Sequence, residues 1–342
     1  MRRASLMLAA AVAMMPFATV AQQAGPYRVL RTEKVGGEGG FDYVYADVAA
    51  RRLYIPRLGP VGQITVFDLD TLKSVGAIAN ASAHGAAVDE KSHHGFGSSK
   101  PVVMWDAKTL ATIKTIDVQG GPDGILDDSS DGRVYVFSHS SPNVTVMDAK
   151  DGSVVGTIDL GGAPEQAVSD GKGRLYIDLE DKGSIAVVDA KTLKVTATYD
   201  LQGKGGTCAG LAMDVKNNVL FASCRSPQTM VILNAGDGKI LETLPIGGGS
   251  DGAVFNPKTM EAFSSQGDGT LTVVKENSPT NFVVEQTLQT VPRAKTLTLD
   301  TKTGKLYLIT AEFTPPPPTP PGGRPARGQM VPDTFSILVV GK

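Results

Sequence analysis

The chain has 342 residues, of which 41% are hydrophobic and 20% charged, with Gly 39, Pro 21 and Trp 1. That balance excludes a disordered chain, and the lack of any apolar run of about eighteen residues beyond the N-terminus excludes a bundle of membrane-spanning helices. A formal net charge of −2 supplies no basic footprint for nucleic acid, and none is expected as a partner.

Residues 1–21 open with Arg2 and Arg3, continue as an apolar stretch over 6–20 and end on the small-residue run Thr19-Val20-Ala21. This is the layout of a secretory signal peptide cleaved after Ala21. A membrane anchor is the competing reading, but the stretch is short, contains Pro16 and lacks a stop-transfer flank. The Arg pair is too little to indicate the twin-arginine route. The expectation is a periplasmic or secreted protein with no stable membrane span after cleavage. Cleavage would remove two basic residues and no acidic one, leaving the chain more negative.

Beyond this segment the sequence repeats itself. Val66-Phe67-Asp68-Leu69-Asp70-Thr71-Leu72 recurs as Met104-Trp105-Asp106-Ala107-Lys108-Thr109-Leu110, Val146-Met147-Asp148-Ala149-Lys150-Asp151-Gly152, Val187-Val188-Asp189-Ala190-Lys191-Thr192-Leu193 and Ile232-Leu233-Asn234-Ala235-Gly236-Asp237-Gly238. The Asp/Asn positions are spaced 38, 42, 41 and 45 apart, and each copy is an apolar run, an Asp-led turn and a second alternating run such as 154–160. That pattern predicts a β-hairpin. A second hairpin precedes each one, with an aromatic in its later strand: Leu53-Tyr54-Ile55, Val134-Tyr135-Val136, Leu175-Tyr176-Ile177, Leu220-Phe221-Ala222 and Leu306-Tyr307-Leu308.

Four strands per unit of about 42 residues make a propeller blade. The sequence predicts an all-β, seven-bladed β-propeller of four-stranded antiparallel blades, one domain over 22–342. The sixth blade has a degenerate outer hairpin over 273–288. The seventh lacks a fourth strand, and residues 27–35 are available to complete it and close the ring without a free edge. A closed ring is expected to be a monomer.

These repeats resemble the YVTN-type seven-bladed propellers, the YncE-like exported bacterial proteins, over essentially the whole chain after residue 21. The single pair Trp105-Asp106 is a coincidence of hairpin position, since the other copies have no Trp. The resemblance implies a binding or interaction propeller. One branch of that group is associated with single-stranded DNA, a role that the acidic balance here opposes.

The blades align on the turn residues Asp47, Asp89, Asp128, Asp170, Asp214, Asn256 and Asp300. Five residues earlier, where each innermost strand enters beside the central channel, stand Asp42, His84, Asp123, Glu165, Ala209, Asp251 and Lys295. Six of these seven can ionise, well above the roughly one in four that ordinary composition supplies. One reading is a ring that holds a divalent metal, through Asp42, His84, Asp123, Glu165 and Asp251, or a polar ligand. The plainer reading is that these groups satisfy loop amides, although that does not call for His or Lys.

A meander puts the end of its second strand on the same face, where Arg57, Lys100, His139, Glu180, Arg225, Gln266 and Glu312 stand. Of these, Arg57, His139 and Arg225 are expected to point inward, the arginines to clamp an anion and His139 to titrate near neutral pH. Cys208 and Cys224 fall opposite one another across a hairpin turning at Lys216 and Asn217, and are expected to form a disulfide. A thiolate metal site is the alternative. The Pro-rich insertion 314–328 within the last blade emerges on the ring face, as a lid, a docking strip or a plain solvated loop. His93 and His94 lie on the opposite face and read as structural, and no nucleophile elbow, phosphate loop or dinucleotide fingerprint occurs.

Two functions follow. The first is a non-catalytic binding or scaffold protein holding a small polar ligand, a metal or an exported protein partner at the channel mouth. The second is a metal-assisted hydrolase or lyase, as in the similar lactonase-like and streptogramin-lyase propellers. It would use the carboxylates as ligands, His84, His139 or Glu165 as catalytic candidates, and Lys295 or Arg57 against developing negative charge.

Overall fold

The computed structural model describes residues 25–60, 62–141, 143–318 and 328–342; the signal-peptide reading lies outside them, as does the middle of the Pro-rich insertion. Among these residues all regular structure is β, and no helix is long and apolar enough to cross a membrane.

The strands form seven four-stranded antiparallel sheets. Six are meanders of consecutive strands; blade three, for example, runs Pro122–Asp128, Arg133–Ser138, Val144–Asp148 and Val154–Ile158. The seventh combines Leu297–Asp300, Lys305–Thr310 and Ser336–Gly341 with the N-terminal strand Arg28–Lys34, paired Arg28 to Gly341 and Lys34 to Ser336. Beside it Tyr27 is fastened to blade six. Its amide donates to Gln286 Oε1 at 2.9 Å, its carbonyl accepts from Gln286 Nε2 at 2.8 Å, and its ring meets Phe263 edge-on at 5.2 Å. Blade six, degenerate by sequence, forms a complete outer hairpin from the long strands Thr270–Ser278 and Asn281–Gln289.

The alternation of each strand sends side chains to both faces of its blade, so the core lies between blades. One cluster packs Tyr135, Val144 and Val146 of blade three on Leu175, Ile177 and Ala186 of blade four, and another joins blades seven and one through Tyr307, Ile309 and Ile337 against Leu53, Ile55 and Phe67. The recurrent aromatic is fully buried in every blade: Tyr54, Phe96, Tyr135, Tyr176, Phe221, Phe263 and Tyr307.

Outer turns follow the Asp-led chemistry. Asp68, Asp106 and Asp189 each accept the amide three residues on, at 2.8, 2.8 and 2.7 Å. The chain then passes through a left-handed residue, Leu72, Leu110 or Leu193 (φ 60, 64 and 55), where blades three and five use Gly152 and Gly238 (φ 67 and 73).

Cys208 and Cys224 are directly paired across the first two strands of blade five and joined by a disulfide. The described residues therefore contain no thiolate pair for a soft metal. Closing a loop of this length restricts the unfolded chain by about 3 kcal/mol in the entropic account. The Cys208→Ala/Cys224→Ala variant is accordingly expected to lose about that much stability in urea unfolding. The wild-type protein should titrate with no free thiol when denatured without reductant.

Candidate functional site at one channel mouth

In blades three to six a bulge in the innermost strand falls at the ring residue, whereas Asp42, His84 and Lys295 stand just before their innermost strands. Asp123, Glu165, Ala209 and Asp251 each fall within a register shift, between Pro122 and Ile125, Pro164 and Ala167, Cys208 and Gly210, and Ser250 and Gly252. An extra residue in a bulge leaves the ladder and can turn its side chain off the sheet face. The ring backbone is tied to neighbouring blades: Thr296 Oγ1 donates to Asp42 O at 2.6 Å, Tyr43 N to His84 O at 3.1 Å, Ser265 Oγ to Lys295 O at 2.6 Å, and Ser98 Oγ to Asp123 O.

The next residue sets the channel floor. In blades two, three, five and six it is Gly85, Gly124, Gly210 and Gly252, where adjacent strands come so close that a Cβ on Gly210 would sit 2.7 Å from the backbone of Gly252. In blades one and four it is Tyr43 and Gln166. Tyr43 reaches across to donate to Glu165 Oε2 at 3.1 Å. Gln166 spans to blades five and six, accepting from Leu211 N and Ala253 N at 3.1 and 3.0 Å and donating to Ala253 O at 3.0 Å.

Above this floor opens a cleft of about 400 Å³ lined by Asp42, His84, Asp123, His139, Glu165, Arg225, Asp251 and Lys295. One half joins imidazoles and carboxylates. His84 Nδ1 lies 3.0 Å from Asp42 Oδ2 and 3.2 Å from Asp123 Oδ1, while His139 Nε2 lies 3.3 Å from Asp123 Oδ2 and 3.6 Å from Glu165 Oε1. The other half is a chain of ion pairs: Lys295 bonds Asp251 and approaches Asp42 at 3.4 Å, and Arg225 bonds Asp251 and lies 3.2 Å from Glu180. Blade five, with Ala209 in the ring, thus supplies its charge from its second strand. A larger cleft of about 640 Å³ at the opposite mouth gathers Asp127, Asp128 and Asp170 with hydroxyl and apolar groups, and its lining contains neither an imidazole nor a cation.

Eight of the nine residues expected to bind a ligand, or His139 in the catalytic set, therefore meet in one place. Arg57 does not: it is buried, its guanidinium stacks 3.8 Å over the Phe335 ring, and its Nη2 donates to Gly39 O at 3.3 Å. Phe335 accepts it because the strand end of blade one is covered by blade seven, which spacing along blade one cannot reveal. Tyr43, Gln166 and Asp178 are absent from the sequence reading. The signal for the first two was present, as large side chains at a position where four blades have glycine. Asp178 gave none; it is fully buried, and neither of its carboxyl oxygens has a hydrogen-bond partner among the described residues.

Crowding of carboxylates raises their proton affinity. Burial, then Asp123 and Glu180, push the Glu165 carboxyl up to about 8. Burial, then Asp42, raises Asp123, and burial with the Glu165 charge holds Asp178 well above the usual carboxylate range. The hydrogen bond to Asp42 raises His84.

The unfolded chain ionises Glu165 near 4.5, so between there and about 8 the folded state keeps a proton that the unfolded state has lost. Stability then falls as pH rises through this window. His84 acts in the same sense, its contribution being complete below its ordinary value and lost as pH rises through the folded one. Glu165→Gln should flatten the decline in unfolding free energy of the metal-free protein across this window, by at most about 1.4 kcal/mol per pH unit, as read by urea titrations in chelator.

No family profile matches the chain, and no curated protein matches it. Solved structures share its fold. The WD40 repeats of RRP9 match with a TM-score of 0.72 and 12% identity over 94% of this chain and 100% of that one. U3-55K matches with 0.71 and 12% identity over 93% and 99%, and a chain of the mitotic checkpoint complex with 0.69 and 13% identity over 90% and 95%. At such identities the likeness shows a shared propeller fold, and function has to be argued from the site.

Proposed function

We propose that this propeller is an exported binding protein whose channel mouth holds a divalent transition-metal ion together with a small anionic ligand. One observation carries the reading: two donor triads, Asp42/His84/Asp123 and Asp123/His139/Glu165, share Asp123, each gathering nitrogen and oxygen donor atoms within 4.8 Å of one another. Tetrahedral bonds of about 2.0–2.2 Å place ligand atoms about 3.3–3.6 Å apart. The nitrogen–oxygen pairs of the two triads lie at 3.0 to 3.6 Å, the shortest of them being the His84–Asp42 hydrogen bond. The Asp123 Oδ1 atom is buried without a well-formed hydrogen bond, as a ligand atom awaiting a cation would be. Among the described residues the side chains of Asp42, Asp123 and Glu165 are met by other side chains, His84, His139, Tyr43 and Lys295, rather than by backbone amides.

Export and the YVTN-type, YncE-like relationship belong to the same proposal. Support comes from the basic-then-apolar start of the chain, the repeat wording and the disulfide, which suits an oxidising compartment. A metal-assisted hydrolase or lyase is a second reading, favoured by the Glu165 carboxyl near 8 opposite Arg225 and Lys295, where a general base could face groups that stabilise negative charge.

Elemental analysis of protein prepared from the periplasm without chelator tests the proposal. Stoichiometric metal is expected in the wild type. Asp123→Ala, which takes a donor from both triads, should lower metal affinity at least about tenfold, more than His139→Ala, which spares the first triad. His84→Ala/Glu165→Ala should also lose metal and remain folded, since both residues stand outside the inter-blade core. Metal-free wild type that takes up no zinc or manganese on titration would sink the reading. Turnover of lactones or cyclic esters by the metal-loaded protein would select the hydrolase.

A further inference from the structure

Beside the mouth, and sharing Arg225, Asp251 and Lys295 with it, lies a second cleft of about 540 Å³ whose remaining walls include Phe41, Phe313 and Arg293. We infer that this cleft is the subsite for an organic monoanion carrying an aromatic ring. The inference deepens the proposed binding role by naming a ligand class, and it rests on that role for the cleft being a ligand site.

Three features carry it. Arg225 and Lys295 are already occupied by Glu180, Asp42 and Asp251, whereas the Arg293 guanidinium makes no ion pair or side-chain hydrogen bond among the described residues. It is steered by lying 3.8 Å over one face of Phe313, which leaves its planar fork of donors for a carboxylate or sulfonate. The apolar wall is anchored by Phe41, which packs edge-on at 4.9 Å against the fully buried Phe335 and lies tilted at 6.4 Å from Phe313. Phe41 and Phe313 are only half-buried, so ring surface remains to receive a flat apolar group. Finally, Arg293 is held at φ 68, a left-handed conformation in which blade six, at the equivalent place two residues before its ring position, uses Gly249 at φ 75. An arginine there is strained relative to glycine, a strain that blade five shares at the equivalent Thr207 (φ 46).

The test uses 2-naphthoate as probe, with 2-naphthol as the uncharged ring and acetate as the charge without a ring, titrated into the full exported chain by calorimetry while metal content is measured on the same samples. Naphthoate should bind at least about tenfold more tightly than either control. Arg293→Gly should lose about tenfold in naphthoate affinity while keeping or raising the melting temperature, because glycine suits the left-handed backbone. Phe313→Leu, which keeps the volume apolar, should weaken naphthoate and leave acetate unchanged. Neither variant should alter metal content. Naphthoate binding that ignores both substitutions, acetate binding equally well, or no naphthoate binding at all would overturn the inference. Loss of the metal reading with naphthoate binding intact would leave this one standing.

Discussion

Each blade can hide its two faces only against the blades on either side, and every other feature depends on that constraint. A ring with one missing strand would expose the edge of Ser336–Gly341 and uncover the part of the core between blades six and seven that Tyr27 and Val29 cover. The N-terminal strand Arg28–Lys34 therefore joins the last blade, with Tyr27 fastened to Gln286 and Phe263 of blade six. Closure fixes how near the seven innermost strands approach one another, and so fixes the width of the channel.

The channel is narrow at its floor, where a Cβ on Gly210 would meet the backbone of Gly252 at 2.7 Å and one on Gly85, Gly124 or Gly252 would be tightly packed, while Tyr43 and Gln166 reach across to neighbouring blades. Bulges just above this floor free Asp123, Glu165 and Asp251 from their ladders, and Asp42, His84 and Lys295 join them from the loops that enter their blades. The arrangement divides into a half where cations and carboxylates neutralise one another and a half where two imidazoles face crowded carboxylates. Bringing Glu165 close to Asp123 and Glu180 in a buried setting raises its proton affinity, a cost that a bound cation would relieve.

The register of the site was legible by counting back five residues from each inner turn, because a propeller repeats the same local geometry in every blade. Asp42, His84, Asp123, Glu165, Asp251 and Lys295 all line the cleft as that count requires. The count does not tell how a long side chain bends. Arg57 and Arg225 occupy equivalent strand ends, yet one stacks on Phe335 and the other bridges Glu180 and Asp251. The difference comes from the neighbouring blade, which offers an aromatic face in one case and acids in the other. Asp178 shows the same limit: its neighbours belong to other strands, and nothing around it in sequence marks it as buried beneath Glu165.

Periodicity and turn chemistry are local properties, and the sequence by itself determined what they control: four strands per unit, seven units, the Asp-led turns, the spare N-terminal strand and the pairing of Cys208 with Cys224. Tertiary structure decided which side chains meet across the channel. Asp42 and Lys295 stand at opposite ends of the chain and touch only because the ring closes; Glu165 receives its hydrogen bond from Tyr43 across the channel. The physical reason is that hydrogen-bonded strands and their turns are specified by neighbours a few residues away, whereas distances, ionisation and access at the mouth depend on bulges and inter-blade packing that only the closed ring sets.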